Sequence, residues 1–104
     1  MDNERVAVVH IDIVGPLLSS EGFKCLLTMI DRETNWVEVV PMKSITSEVV
    51  IKHFCNQWIA RFGIPVVLIN DQGTQFQSHI FQAFAETMGI ELRRTTAYHP
   101  QTKW

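Results

Sequence analysis

No apolar run in this sequence approaches the roughly 18 residues that a membrane-spanning helix needs, so no segment reads as a membrane span. Positive charge is equally scarce. Nine Lys and Arg against 11 Asp and Glu leave a net charge of −2, whereas proteins that bind nucleic acid regardless of sequence carry a strong positive excess. Any role on nucleic acid must therefore come from a site and not from bulk charge. Only two cysteines occur, Cys25 and Cys55, outside any CxxC or Cys/His ligand spacing. Buried, reduced thiols are expected there, with no disulfide and no zinc site. The opening residues Met1-Asp2-Asn3-Glu4 lack the basic and apolar regions of a signal peptide, which makes an intracellular compartment the expectation. Also absent are a GxGxxG fingerprint, a P-loop, an HExxH pair and a nucleophile elbow, and with them the chemistries those motifs serve.

What is present is globular. Apolar residues make up 46% of 104 positions, enough for one small domain but not for a second. A chain of this size buries only roughly 60–65% of its unfolded surface, so its stability is expected to be marginal.

Val6 to Val14 is a β-branched run ended by Gly15-Pro16, which predicts a strand buried on both faces. Lys24 to Ile30 and Trp36 to Pro41 are two further strand segments, separated by the five polar residues Asp31 to Asn35. That spacing suits an antiparallel hairpin. From Thr46 or Ser47 as N-cap, Ile51, Cys55, Trp58, Ile59 and Phe62 form a helical stripe that Gly63 and Pro65 stop. Val66 to Ile69 reads as a short strand. Ser78 caps a second helix with the stripe Phe81, Phe84, Ala85 and Met88, ended by Gly89, and Glu91 to Thr96 reads as an edge strand. The predicted order is β-β-β-α-β-α-β, an α/β fold with helices packed on a mixed sheet.

Asp12 is the residue that needs explaining, because it interrupts the apolar run Val8-Val9-His10-Ile11-Asp12-Ile13-Val14. A carboxylate in such a run is paired, hydrogen-bonded or metal-bound. Two readings stand: an aspartate at the sheet's rim accepting backbone hydrogen bonds, or a metal-binding or acid/base carboxylate at a strand end. Asp71, just past the strand Val66 to Ile69 in Asn70-Asp71-Gln72-Gly73, has a similar address. It is either an ordinary turn former or a site residue at the carboxyl end of a parallel strand. Two such carboxylates are the minimum for a hard divalent cation, and a two-metal phosphoryl-transfer site normally needs a third. Asp31, Glu33, Glu38, Glu48 and Glu86 occupy turn, strand-face and helix positions that read as solvated. The four histidines do not cluster. His10 shares the face of Asp12 and reads as a packed or hydrogen-bonded histidine, while His99 belongs to a loop.

Four motifs together resemble one family. They are His10-Ile11-Asp12-Ile13-Val14-Gly15-Pro16-Leu17, Ile30-Asp31-Arg32-Glu33-Thr34-Asn35-Trp36-Val37-Glu38, Asn70-Asp71-Gln72-Gly73-Thr74-Gln75-Phe76 and Tyr98-His99-Pro100-Gln101-Thr102. In their order and separations they resemble the catalytic core of retrotransposon and retroviral integrases, the gypsy-type or BEL-type elements in particular. The resemblance covers nearly the whole of residues 1–104 as one partial core domain.

It implies an RNase H-like fold, Mg²⁺ or Mn²⁺ as cofactor, and DNA (the element's ends and target DNA) as partner, in a protein acting in the nucleus. A homo-oligomer is a further expectation, and a membrane is not. In that family two aspartates and a glutamate hold the metals that drive 3′-end processing and strand transfer. Asp12 and Asp71 match the two aspartates as catalytic and metal-binding residues. Gly73, Thr74, His99 and Gln101 fall in the loop motifs and are expected to contact substrate. The family's glutamate follows the second aspartate with 35 residues between them, which is position 107, three beyond Trp104. Lys103 and Trp104 also depart from the family's usual continuation. The expectation is a core lacking its last helix and inactive on its own for want of the third carboxylate. A catalytically silent DNA- or protein-binding module derived from an integrase is the alternative.

Overall fold

Val8, Val9, Ile11 and Ile13 are β-branched side chains that favour extended backbone, and they open the first strand, β1 (Val8–Ser19). β2 (Gly22–Asp31) and β3 (Val37–Met42) follow as an antiparallel meander. The chain then forms α1 (Ser47–Phe54), a π-helical turn (Cys55–Ile59) and a last turn α2 (Ala60–Phe62) before β4 (Val67–Asn70). A 3₁₀ turn (Thr74–Gln77), α3 (His79–Met88) and β5 (Glu91–Arg94) complete the order. This is the β-β-β-α-β-α-β succession expected of the sequence. The computed structural model describes residues 7–70 and 74–94. Its single sheet runs β3-β2-β1-β4-β5, with β1, β4 and β5 parallel.

The helices cover one face of the sheet. Val9, Ile11, Leu27, Met29 and Leu68 point to that side and are fully buried against Val50 and Phe54 of α1 and Phe81 of α3. Phe81 stands edge-on to Phe76 with ring centroids 5.2 Å apart, a geometry that adds roughly 0.5–1.5 kcal/mol to simple burial. Thr46 caps α1 by accepting from the Val49 N–H at 3.4 Å, and Ser78 caps α3 by accepting from Phe81 N–H at 3.1 Å. The hydroxyls of Ser47 and Ser78 meet at 2.6 Å, tying the two helix starts together. α3 ends where Gly89 turns left-handed, and the Ile90 N–H reaches back to the Ala85 carbonyl.

Three expectations are corrected. β1 does not stop at Gly15-Pro16 but runs on to Ser19, because a register shift between Val14 and Leu17 absorbs the dipeptide as a bulge. Pro has no N–H to give a ladder, so an interruption in the ladder is where it fits. Nor is β1 buried on both faces: Val9 and Ile11 are fully covered by the helices, while His10 and Asp12 on the opposite face are half-buried. The buried stripe of the first helix is Val50, Phe54 and Trp58, not Ile51, Cys55 and Ile59, which are half-buried, or Phe62, which is 48% exposed. Apolar residues fill two rows one position apart, and packing against the sheet selects the row of Val50 and Phe54 within α1. The π turn, with its i→i+5 bond from Ala60 N–H to the Cys55 carbonyl, bears only on the residues that follow it.

Candidate active site

Alternation along β1 sets Asp12 on the sheet face away from the helices, with His10 two residues earlier on the same face. Asp12 stands opposite Thr28 of β2, whose hydroxyl donates to the Asp12 carbonyl at 3.4 Å. The Asp12 carboxylate accepts the Ile13 N–H at 2.8 Å through Oδ1. One such bond occupies one of about four lone-pair positions on a carboxylate, so it orients the group and is compatible with cation ligation. Because β1 runs on to Ser19, Asp12 is not at a strand end; it is a backbone-bonded, half-buried carboxylate within the central strand, one residue past the last β1–β4 pair.

The second aspartate enters through its neighbour. Asn70 closes β4, is almost fully buried, and pairs with Ile11 in the parallel ladder between β1 and β4. The residues immediately before Asp12 and before Asp71 are thus side by side in adjacent strands. Asp71 itself, with Gly73, His99 and Gln101, lies outside the described residues, and Thr74 is described only as the backbone that opens the 3₁₀ turn. Among the described residues no three His, Cys, Asp or Glu side chains come together as a metal cage.

Other acidic residues are not where composition puts them. Asp31, expected in a solvated turn, is buried at the end of β2, where its Oδ1 accepts the Glu33 N–H at 2.9 Å. Glu38, expected on an exposed strand face, is held by Arg61 at 3.0 Å and by the Trp36 indole N–H at 2.6 Å. Asp31 shares a row with Val9 and Glu38 a row with Met29 and Ile11, which places both on the sheet face opposite Asp12. Cys25 and Cys55 carry free thiols as expected but are half-buried, and burial pushes the Cys55 thiol above its ordinary value.

A cavity of about 560 Å³ opens beside the end of β4, lined among others by Asn70, Gln77, Gln82, Glu86 and Arg94. Sequence reasoning missed it. The available signal was Asn70, a polar residue closing an otherwise apolar strand. At its rim Arg93 is hydrogen-bonded to Glu91 at 2.8 Å, which raises the guanidinium further above its already high value.

No helix among the described residues is long and apolar enough to cross a membrane. Comparison with known proteins places the geometry in context. Residues 2–100 match the family model described as "Integrase core domain". The Gag-Pol polyprotein of avian reticuloendotheliosis virus is 36% identical over 93 residues, which is 89% of this chain and 8% of that polyprotein. The Pol polyprotein of radiation murine leukemia virus (strain Kaplan) is 38% identical over 81 residues, 78% of this chain and 14% of the polyprotein. Among solved structures, the HTLV-2 integrase catalytic core domain in complex with magnesium, in its trimeric form, superposes with a TM-score of 0.78 at 26% identity. That match covers 86% of this chain and 60% of the other, so the chain spans only part of each relative. The mixed five-stranded sheet with helices on one face has the RNase H-like fold of an integrase catalytic core, and the chain belongs to the integrase core domain family.

Proposed function

We propose that this chain is the part of an integrase core that supplies Asp12 and Asp71 to metal-dependent polynucleotidyl transfer on DNA, at the element's ends and at target DNA in the nucleus. The observation that carries the reading is the pairing of Ile11 with Asn70, which sets the end of β4, where Asp71 follows, beside the point on β1 where Asp12 follows. Hard divalent cations take oxygen ligands, and the donors offered here are carboxylates, which suits Mg²⁺ or Mn²⁺. Asp12 and Asp71 would hold such an ion, which would supply Lewis-acid stabilisation of the phosphoryl group and activation of a water or 3′-hydroxyl. The protein's own share is positional. The Ile13 N–H fixes the Asp12 carboxylate, while Gly73, Thr74, His99 and Gln101 contact the DNA. The magnesium complex and trimeric form of the HTLV-2 core support a divalent cation and a homo-oligomer for this chain too.

In a test polypeptide of residues 1–104, Asp12 and Asp71 are the two ligands this reading assigns. Calorimetric titration with Mn²⁺ is expected to show weak binding that Asp12→Asn and Asp71→Asn each reduce and the double variant abolishes. Strand transfer by the same polypeptide on an oligonucleotide substrate is expected to stay below detection. Mn²⁺ binding that survives the double substitution, or strand transfer that survives Asp12→Asn, overturns the proposal.

A further inference from the structure

Two lysines lie just beyond the last pair of β2 and β3. Cys25 of β2 pairs with Met42 of β3; Lys24 continues β2 outward, and Lys43 is the first residue past the end of β3. Asp12, Thr28 and Val39 form one row across β1, β2 and β3. Counting by twos from Thr28 leads through Leu26 to Lys24 on the same face of β2. Four residues of strand place Lys24 about 13 Å from that row, or about four base steps of duplex rise.

Neither lysine is neutralised by a described residue. The acid-base pairs of the described residues are Arg61 with Glu38 and Arg93 with Glu91, and neither Lys24 nor Lys43 makes a hydrogen bond or ion pair among those residues. Lys24 is half-buried and pairs across the bulged arm with Leu17, so its stem lies on apolar surface and its ammonium is steered to the edge. Like charges brought near one another at a sheet edge repel. In a chain whose net charge is −2, two cations flanking the same strand pair, with no acidic partner among the described residues, are a feature that an external anion would relieve.

We infer that Lys24 and Lys43 form a phosphate-contacting pair that holds the DNA backbone on the Asp12 face, about four base steps from the reacting phosphate. The inference rests on the DNA reading above and adds two positioning residues to it. It predicts a loss of backbone contact and not of chemistry. A protein that neutralises a phosphate of duplex DNA contributes about −0.9 to the slope of log K against log salt.

The test is fluorescence anisotropy of a labelled duplex oligonucleotide across a salt series, without divalent metal. Lys24→Ala and Lys43→Ala are each expected to flatten the slope by about one unit, and the double variant by about two. Lys24→Arg should keep the slope. Lys52→Ala, an exposed residue on α1, should also keep it, and circular dichroism should report unchanged folding throughout. Duplex binding whose slope is unaffected by the two alanine substitutions overturns the lysine assignment and leaves the DNA reading standing. An equal flattening in Lys52→Ala also overturns it. No binding by the unaltered chain at low ionic strength overturns both.

Discussion

At Gly15 the backbone takes φ +130°, and a Cβ there would come within 3.0 Å of the Lys24 carbonyl and 3.1 Å of the Cys25 Cα. Those neighbours are backbone atoms, which cannot swing aside. Gly15→Ala is therefore expected to cost about 1–3 kcal/mol, read as a lower urea midpoint with the slope unchanged. Asp12 shows why some single residues are legible in a sequence. A charge inside a β-branched run demands an explanation wherever the run folds, and the face it takes follows from the two-residue period of a strand. Asp31 shows the opposite. Its neighbours Arg32 to Asn35 have the composition of a solvated turn, yet the side chain bonds its own loop and is covered at the end of β2. Local composition carries no information on what packs over a turn. Asp71 was chosen by the same reasoning as Asp12, and its side chain lies outside the described residues.

The first helix tests pattern reasoning at the scale of an element. Its bounds were legible because capping chemistry is local. Thr46 accepts the bond an N-cap should accept, and Gly63 stops the helix with a positive φ. Its buried face was not legible, because apolar residues fill two rows one position apart, Val50-Phe54-Trp58 and Ile51-Cys55-Ile59, and only packing against the sheet selects between them. The choice is made at Val50 and Phe54, ahead of the π turn at Cys55–Ile59. The two readings make different demands on mutants. If the stripe ran through Phe62, truncating it would be as damaging as truncating Phe54. With Phe54 fully buried and Phe62 half-exposed, Phe54→Ala should cost about 3–5 kcal/mol. Phe62→Ala should cost only about 1 kcal/mol, the value of its ring contacts with Trp58 at 4.6 Å and Trp36 at 6.3 Å. Chemical denaturation of the pair decides between them. Equal losses would mean the helix is rotated from the arrangement described.

At the scale of the molecule, the helices cover one side of the sheet and leave apolar groups on its other side and at its ends. Val37 and Val39 are half-exposed, and Leu18 and Phe23, directly opposite each other at the tip of the β1–β2 arm, are 77% and 67% exposed. Exposed apolar groups of this kind, paired at the arm's tip, favour association. Sedimentation of the 104-residue polypeptide should therefore depend on concentration, and Leu18→Ser with Phe23→Ser should weaken that dependence while leaving the unfolding midpoint nearly unchanged. Unaltered association in the double variant would move the sticky surface away from the arm. The order of the strands also sets a schedule. β1 is made first but occupies the centre, and its partner on one side, β4, is joined through pairs such as Val9 with Leu68. On a ribosome adding about 5–20 residues per second, the meander of β1, β2 and β3 can close early. The edge of β1 that awaits Leu68 then stays open for about 3–12 s. During synthesis the nascent chain therefore offers an unpaired central strand next to an uncovered apolar face, the form in which chaperones and neighbouring polysomal chains would meet it first.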